Sequence, residues 1–328
     1  MLLAITERGL FCEAGNFYID PLRPVETAVI THAHADHARP GSRLYLTEET
    51  GKAVLQSRLG PEARIESLRY GQSIARQGVN VSLHPAGHIL GSAQVRIEYK
   101  GEICVVSGDY KLANDGTCPA FEPIRCHWFV TESTFGLPIY RWPDQSRVFD
   151  EIRMWWRENQ GRGRTSVIFC YALGKAQRLL RNLDAGVGPI FLHGAIDRYL
   201  PAYQEAGVVF PSTTKLPEEV IGRGLVLAPM SADNTPWLRK FGEVSTAFAS
   251  GWMQIRGARR RRSVDRGFVL SDHVDWPGLL DTINATSAET VWVTHGYAAA
   301  VARWLGEQGK NARAIATLFE GDAEGDGD

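Results

Sequence analysis

The densest chemistry in the chain is the heptapeptide Thr31-His32-Ala33-His34-Ala35-Asp36-His37, with three imidazoles and a carboxylate inside six residues. Imidazole plus carboxylate is the donor set of zinc, and manganese or iron accept it too. The run Thr27-Ala28-Val29-Ile30 before it predicts a short buried strand, and Pro40-Gly41 after it stops regular structure. The four donors are therefore expected on a loop at a strand end. A loop can turn several rings toward one point, whereas a strand would send alternate residues to opposite faces. A histidine-rich surface loop that binds nothing is the competing reading, and it leaves the density of the cluster unexplained.

The same strand-then-donor arrangement recurs along the chain. Val79–Leu83 leads to His88 between Gly87 and Gly91; Ile103–Val106 leads to Asp109; Trp128–Val130 leads to Glu132. Late in the sequence Phe268–Leu270 leads to His273 and Val291–Val293 leads to His295. Strand ends share one edge of a sheet, so residues far apart in sequence can meet there. The pattern predicts a layered α/β fold with its site on one rim. Asp20 ends an early strand just before the histidine cluster. It could orient a ligand histidine through the second ring nitrogen, a plain turn aspartate before Pro21 being the alternative.

The elements that carry these residues can be outlined. Residues 1–20 predict one or two strands, and 47–59 a helix with Thr47 as its N-cap and Gly60-Pro61 as its stop. The middle of the chain alternates differently: a helix over 150–159, a strand over 165–170, a helix over 174–183, and strands at 190–192 and 224–228. This predicts a small α/β domain with parallel pairing. His193 within it is expected to have a structural role, a place facing the cleft being the alternative. Next comes Arg256-Gly257-Ala258-Arg259-Arg260-Arg261-Arg262, either a solvated charge run or a loop that contacts phosphates.

Composition narrows the class. The 328 residues, 44% of them hydrophobic, can build two domains or one domain with an insertion. Glu7 interrupts the N-terminus where a signal peptide would be apolar, and no stretch reads as a membrane span, so a cytoplasmic protein is expected. Five cysteines, in no zinc-ribbon spacing, predict buried thiols and no disulfide framework. Residues 320–328 hold five acids and no base, which leaves +4 on the remainder against −1 for the whole, and predict a disordered acidic tail.

Asp20, the HAHADH cluster, His88 in GHILGSA and Asp109 in SGDY together resemble the metallo-β-lactamase superfamily. Glu132 in TEST, His273 in LSDH and His295 in VTHG resemble the further motifs of its β-CASP nucleases, and ALGKAQ at 172–177 is similar to a helix start inside their inserted domain. The GWM segment, the arginine run and LSDHVDW are most similar to bacterial ligase-associated DNA exonucleases. The resemblance implies an α/β fold, an αββα metallo-β-lactamase sandwich (1–135 and 252–319) carrying an inserted β-CASP α/β domain (136–251). It implies two divalent cations, zinc first and manganese as an alternative activator. One would take His32, His34 and His88, the other Asp36, His37 and His295, with Asp109 bridging. Asp20 would stand behind the ligands, His273 would serve the leaving oxygen, and Glu132 would hold its other nitrogen. Arg256, Arg259, Arg260, Arg261 and Arg262 would contact nucleic acid. DNA is the implied substrate, with functional association to an ATP-dependent DNA ligase and a helicase. In the wider family a histidine at the position of His295 accompanies RNA-cleaving members, so RNA is the alternative substrate. A small-molecule hydrolase is disfavoured, since a lactone or thioester needs neither the insertion nor the basic run.

Overall fold

The structure is a computed structural model and describes residues 2–257 and 264–315. Two compact units divide the described residues: 2–114, Cys118–Arg141 and 273–315 form the first, and Asp115–Thr117 with Trp142–Asp272 the second.

The first unit holds two sheets. One runs in the order β1 (Ala4–Thr6), β2 (Gly9–Cys12), β3 (Phe17–Ile19), β4 (Thr27–Val29), β5 (Leu44–Glu48) and β6 (Ile65–Leu68). Helix α1 (Lys52–Leu59) joins β5 to β6. The other sheet is built from β7 (Ser73–Arg76), β8 (Val79–Pro85), β9 (Ala93–Tyr99), β10 (Glu102–Val106), β11 (Trp128–Glu132), β17 (Thr290–Thr294) and β18 (Asn311–Ala314). Its spatial order is β18-β17-β11-β10-β9-β8-β7. Alternation along the strands decides which face each residue serves. Cys104 and Val106 of β10, Val130 of β11 and Trp292 of β17 join Phe17, Ile19, Val29 and Leu46 in the core between the sheets. Val105, Phe129, Val291 and Val293 point the other way, toward the two C-terminal helices (Trp276–Ala285 and Ala298–Glu307), where Leu279, Ile283, Val301 and Leu305 cover them. This is the sandwich with outer helices that the sequence motifs imply.

Thr47 is a correction. It lies inside β5, buried, and α1 begins only at Lys52 with Gly51 as N-cap. Parallel pairing of Thr47 with Ser67 of β6 claims the residue for the sheet, which a hydroxyl's capping propensity cannot reveal. The N-terminal stretch likewise forms three strands where one or two were expected.

The second unit is a five-stranded, all-parallel sheet in the order β13-β14-β12-β15-β16, formed by β12 (Thr165–Phe169), β13 (Ile190–Leu192), β14 (Leu225–Ala228), β15 (Val244–Ala249) and β16 (Arg266–Phe268). Parallel strands covered on both faces are continuously apolar. Ile168, Leu225 and Leu227 pack with Trp155 and Trp156 of α2 (Gln145–Gly161) and Leu179 of α3 (Lys175–Asn182), while Val167, Phe169, Val226 and Phe248 pack with Phe241 and Met253 on the other side. Two shorter helices, α4 (Gly194–Asp197) and α5 (Leu200–Glu205), follow β13, and the C-terminal pair of the first unit become α6 and α7. Because β16 pairs with β15, the sheet continues past residue 251, where the inserted segment was expected to end. His193 has the structural role expected of it: Nδ1 accepts from Ala195 N at 3.1 Å, capping α4, and the ring packs on Trp237.

Candidate metal centre

Four backbone features of the first unit gather the donors. After β4 the chain turns through a loop closed by Ala38 N donating to His34 O at 2.8 Å, and this turn presents His32, His34, Asp36 and His37 together. The loop after β8 presents His88, whose N–H donates to Ser92 Oγ at 3.0 Å. Strands β10, β11 and β17 are neighbours and parallel, with Val106 opposite Val130 and Glu132 opposite Thr294. Their ends therefore deliver Asp109, Glu132 and His295 to one rim. His273 enters just before α6. Gly108 permits the closeness of the first and third features: its φ is +58°, and a Cβ there would lie 2.6 Å from Thr31 Cβ.

The donor atoms fall into three groups: His32, His34, His88 and Asp109; Asp36, His37 and His295; and Asp109, Glu132 and His273. Asp109 stands in the first and third, and its Oδ2 also lies 3.5 Å from His37 Nε2 of the second. His32 Nε2 is 3.5 Å and His88 Nε2 3.8 Å from that same oxygen. These spacings are long for hydrogen bonds. Two donors on one tetrahedral zinc, each bonded at about 2.0–2.2 Å, lie about 3.3–3.6 Å apart. Nε2 of His32 and Nε2 of His37 are both buried without a hydrogen-bond partner. A buried nitrogen aimed at a carboxylate oxygen across a cation-sized gap is what a metal ligand presents, so these residues fit divalent cations.

The surroundings orient the donors. Asp20 Oδ2 is 2.7 Å from His37 Nδ1, which turns Nε2 toward Asp109. Thr31 holds Asp20 in turn: its N–H donates to Oδ1 at 2.8 Å and its hydroxyl to Oδ2 at 2.6 Å. Nδ1 of His273 is 2.9 Å from Glu132 Oε2 and 3.1 Å from Oε1, and Tyr110 N donates to Glu132 Oε1 at 2.9 Å. Burial pushes the His37 imidazole down, but Asp36, Asp109 and Asp20 outweigh it and hold its pKa well above the ordinary value. His32 is held well below it by burial and then by neighbouring His37. Burial would raise Asp109, yet His37 and His273 keep it well below the usual carboxylate range. The carboxylates thus favour a positive charge at His37, and a cation bound there would take the place of that proton.

Every donor singled out in the sequence, from Asp20 to His295, lies at this rim. Thr31 and Ser133 also belong to it, and sequence reasoning gave neither a role; the only hint was their place next to motif residues. Arg256 is exposed, and Arg259, Arg260, Arg261 and Arg262 lie outside the described residues. So does the acidic tail at 320–328. No helix among the described residues is long and apolar enough to cross a membrane.

No family model matches the chain. Over 310 residues, 94% of its length, it is 30% identical to a probable DNA ligase of Opitutus terrae, of which it covers 30%. Over 125 residues it is 32% identical to cleavage and polyadenylation specificity factor subunit 3 of Dictyostelium discoideum, covering 37% of this chain and 16% of that one. Over 199 residues it is 29% identical to endoribonuclease ysh1 of Schizosaccharomyces pombe, covering 50% of this chain and 26% of the relative. The chain thus spans less than a third of each of these curated relatives. A crystal structure of a protein of unknown function from Enterococcus faecalis V583 shares the fold, with a TM-score of 0.54 at 13% identity over 81% of this chain and 74% of that one. With these likenesses beside a sandwich whose rim gathers histidine and aspartate clusters, the chain is similar to the β-CASP group of the metallo-β-lactamase superfamily.

Proposed function

We propose that the protein is a two-metal phosphodiesterase that hydrolyses DNA from an end. The observation that carries this reading is Asp109, whose carboxylate faces both candidate metal groups and lies 3.9 Å from His273. Two divalent cations, zinc first and manganese as an alternative, would neutralise phosphate oxygens and acidify a water for attack on phosphorus. His32, His34 and His88 would hold one, Asp36, His37 and His295 the other, with Asp109 shared. Attack forms a new P–O bond and breaks the bond to the leaving oxygen, which must gain a proton. His273 would supply it, with Glu132 holding Nδ1 at 2.9 Å.

DNA is favoured over RNA because the likeness to the probable DNA ligase runs over 94% of this chain, while likeness to the endoribonuclease covers half. The arginines of 256–262 would hold the phosphate backbone, and association with a DNA ligase activity follows from the same likeness. The cations treat either sugar alike, so discrimination must come from contacts at the 2′ position. End-labelled linear DNA, the same sequence as a closed circle, and the matching RNA, each with zinc and with manganese, test the reading. Stepwise shortening of linear DNA with the circle intact is expected. Cuts in the circle, or faster loss of RNA, would replace it with an endonuclease or an RNA-processing enzyme.

A further inference from the structure

The residue after Glu132 is occupied with a different part of the rim. Ser133 is 1% exposed, and its hydroxyl donates to His295 O at 2.5 Å, with Thr294 O at 3.2 Å. Its own carbonyl accepts from Tyr297 N at 3.0 Å. One serine therefore both donates to and accepts from the tight turn that carries His295 off the end of β17. That turn needs support. His295 has a φ of +57°, a left-handed conformation that a residue with a Cβ adopts only when its surroundings impose it. Gly296 follows with the same φ, and a Cβ there would sit 2.5 Å from Ser133 O and from Thr134 Cα. The turn and the Ser133 backbone lie too close to admit a side chain at Gly296.

The side chain of His295 points the other way, to Asp36 and His37. Thr294 Oγ1 lies 3.1 Å from its Nδ1, which settles the ring, but only the backbone settles where the ring begins. The geometry points to Ser133 as a positioning residue for His295, and through it for the cation held by Asp36, His37 and His295. This rests on the two-metal reading above. It adds that the end of β11 serves both halves of the site. Glu132 holds His273, and Ser133 holds the turn of the second metal group, so proton donor and second cation share a common anchor.

The test is a zinc titration of the full chain after chelator stripping, followed by calorimetry and by elemental analysis, with no substrate present. Wild type should take two ions. Ser133→Ala should bind one of them roughly 10–100-fold more weakly and the other unchanged, the usual effect of removing a group that orients a ligand. Ser133→Thr, which keeps the hydroxyl, should restore the weaker site. In a His295→Ala background Ser133→Ala should have no further effect, because the residue it positions is gone. Equal weakening of both ions, unaltered binding in Ser133→Ala, a Thr variant as defective as the Ala variant, or additive losses in the double variant would each overturn the inference. A wild-type chain that takes no second ion would instead sink the two-metal reading itself.

Discussion

Asp109 and His273 are separated by 3.9 Å and have different commitments, and that difference predicts different phenotypes. Asp109 faces His32, His37 and His88, so Asp109→Ala should lose most of both metals by elemental analysis. His273 is drawn toward Glu132, with both carboxylate oxygens within 3.1 Å of Nδ1. His273→Ala should keep its metal and its affinity for DNA while losing about 10²–10⁴ in rate, the usual worth of a positioned proton donor. Glu132→Gln should lose less, since an amide oxygen still accepts from Nδ1. Loss of metal in His273→Ala would show that His273 and His295 have exchanged roles. Thr31 belongs at this scale too. Its hydroxyl holds Asp20, which holds His37, and the threonine is recognisable only after the loop has folded.

At the scale of elements, α3 of the second unit carries a buried charge network. Lys175 Nζ is 2.8 Å from Asp272 Oδ2, and Arg178 reaches Asp272 Oδ1 at 2.9 Å, Asp115 Oδ2 at 3.4 Å and the carbonyl of Ser271. These four charged side chains are at most 7% exposed. Two cations against two carboxylates balance, and spacing of Lys175 and Arg178 by three residues puts both on one helix face. Breaking such a set from one side leaves an uncompensated buried charge. Arg178→Ala should therefore destabilise the protein by about 3–5 kcal/mol in denaturant unfolding. Arg147→Ala on the solvent-facing side of α2, whose partner Glu151 lies at 3.5 Å, should cost below about 1 kcal/mol. Equal effects of the two would refute this account of the network.

For the whole molecule, every candidate ligand among the described residues comes from the first unit, and metal should protect that unit selectively. Hydrogen exchange with zinc present should slow at 31–38, 86–92, 107–111 and 294–297, while the parallel sheet β12–β16 stays as it is after chelation. At free zinc 100-fold above Kd the stabilisation should be about 2.7 kcal/mol per site, readable as a rise in melting temperature. Chelation that moves exchange uniformly across both units would argue against a localised site. Nucleic-acid affinity belongs to this scale as well. Replacing two of Arg259–Arg262 with alanine should flatten the slope of log affinity against log salt by about 0.7–0.9 for each phosphate no longer neutralised. An unchanged slope would leave the run a solvated surface.

What the sequence determined by itself was chemical identity and local placement. His32, His34, Asp36, His37, His88, Asp109, Glu132, His273 and His295 all follow apolar runs. An apolar run that stops at a donor is a local pattern, so strand ends bearing metal-competent groups were legible without any knowledge of packing. Family motifs added the grouping of donors and the presence of an insertion. Tertiary structure decided what depends on partners remote in the chain. Thr47 is a strand residue because β6 pairs with it, and β16 joins the second sheet because β15 lies beside it. Ser133 meets the His295 turn across 162 residues of sequence. A hydrogen bond of that span needs only a donor and a carbonyl at the right distance, and every serine and every peptide unit offers those. Nothing local distinguishes the pair that meets, and only the register of β11 against β17 selects it.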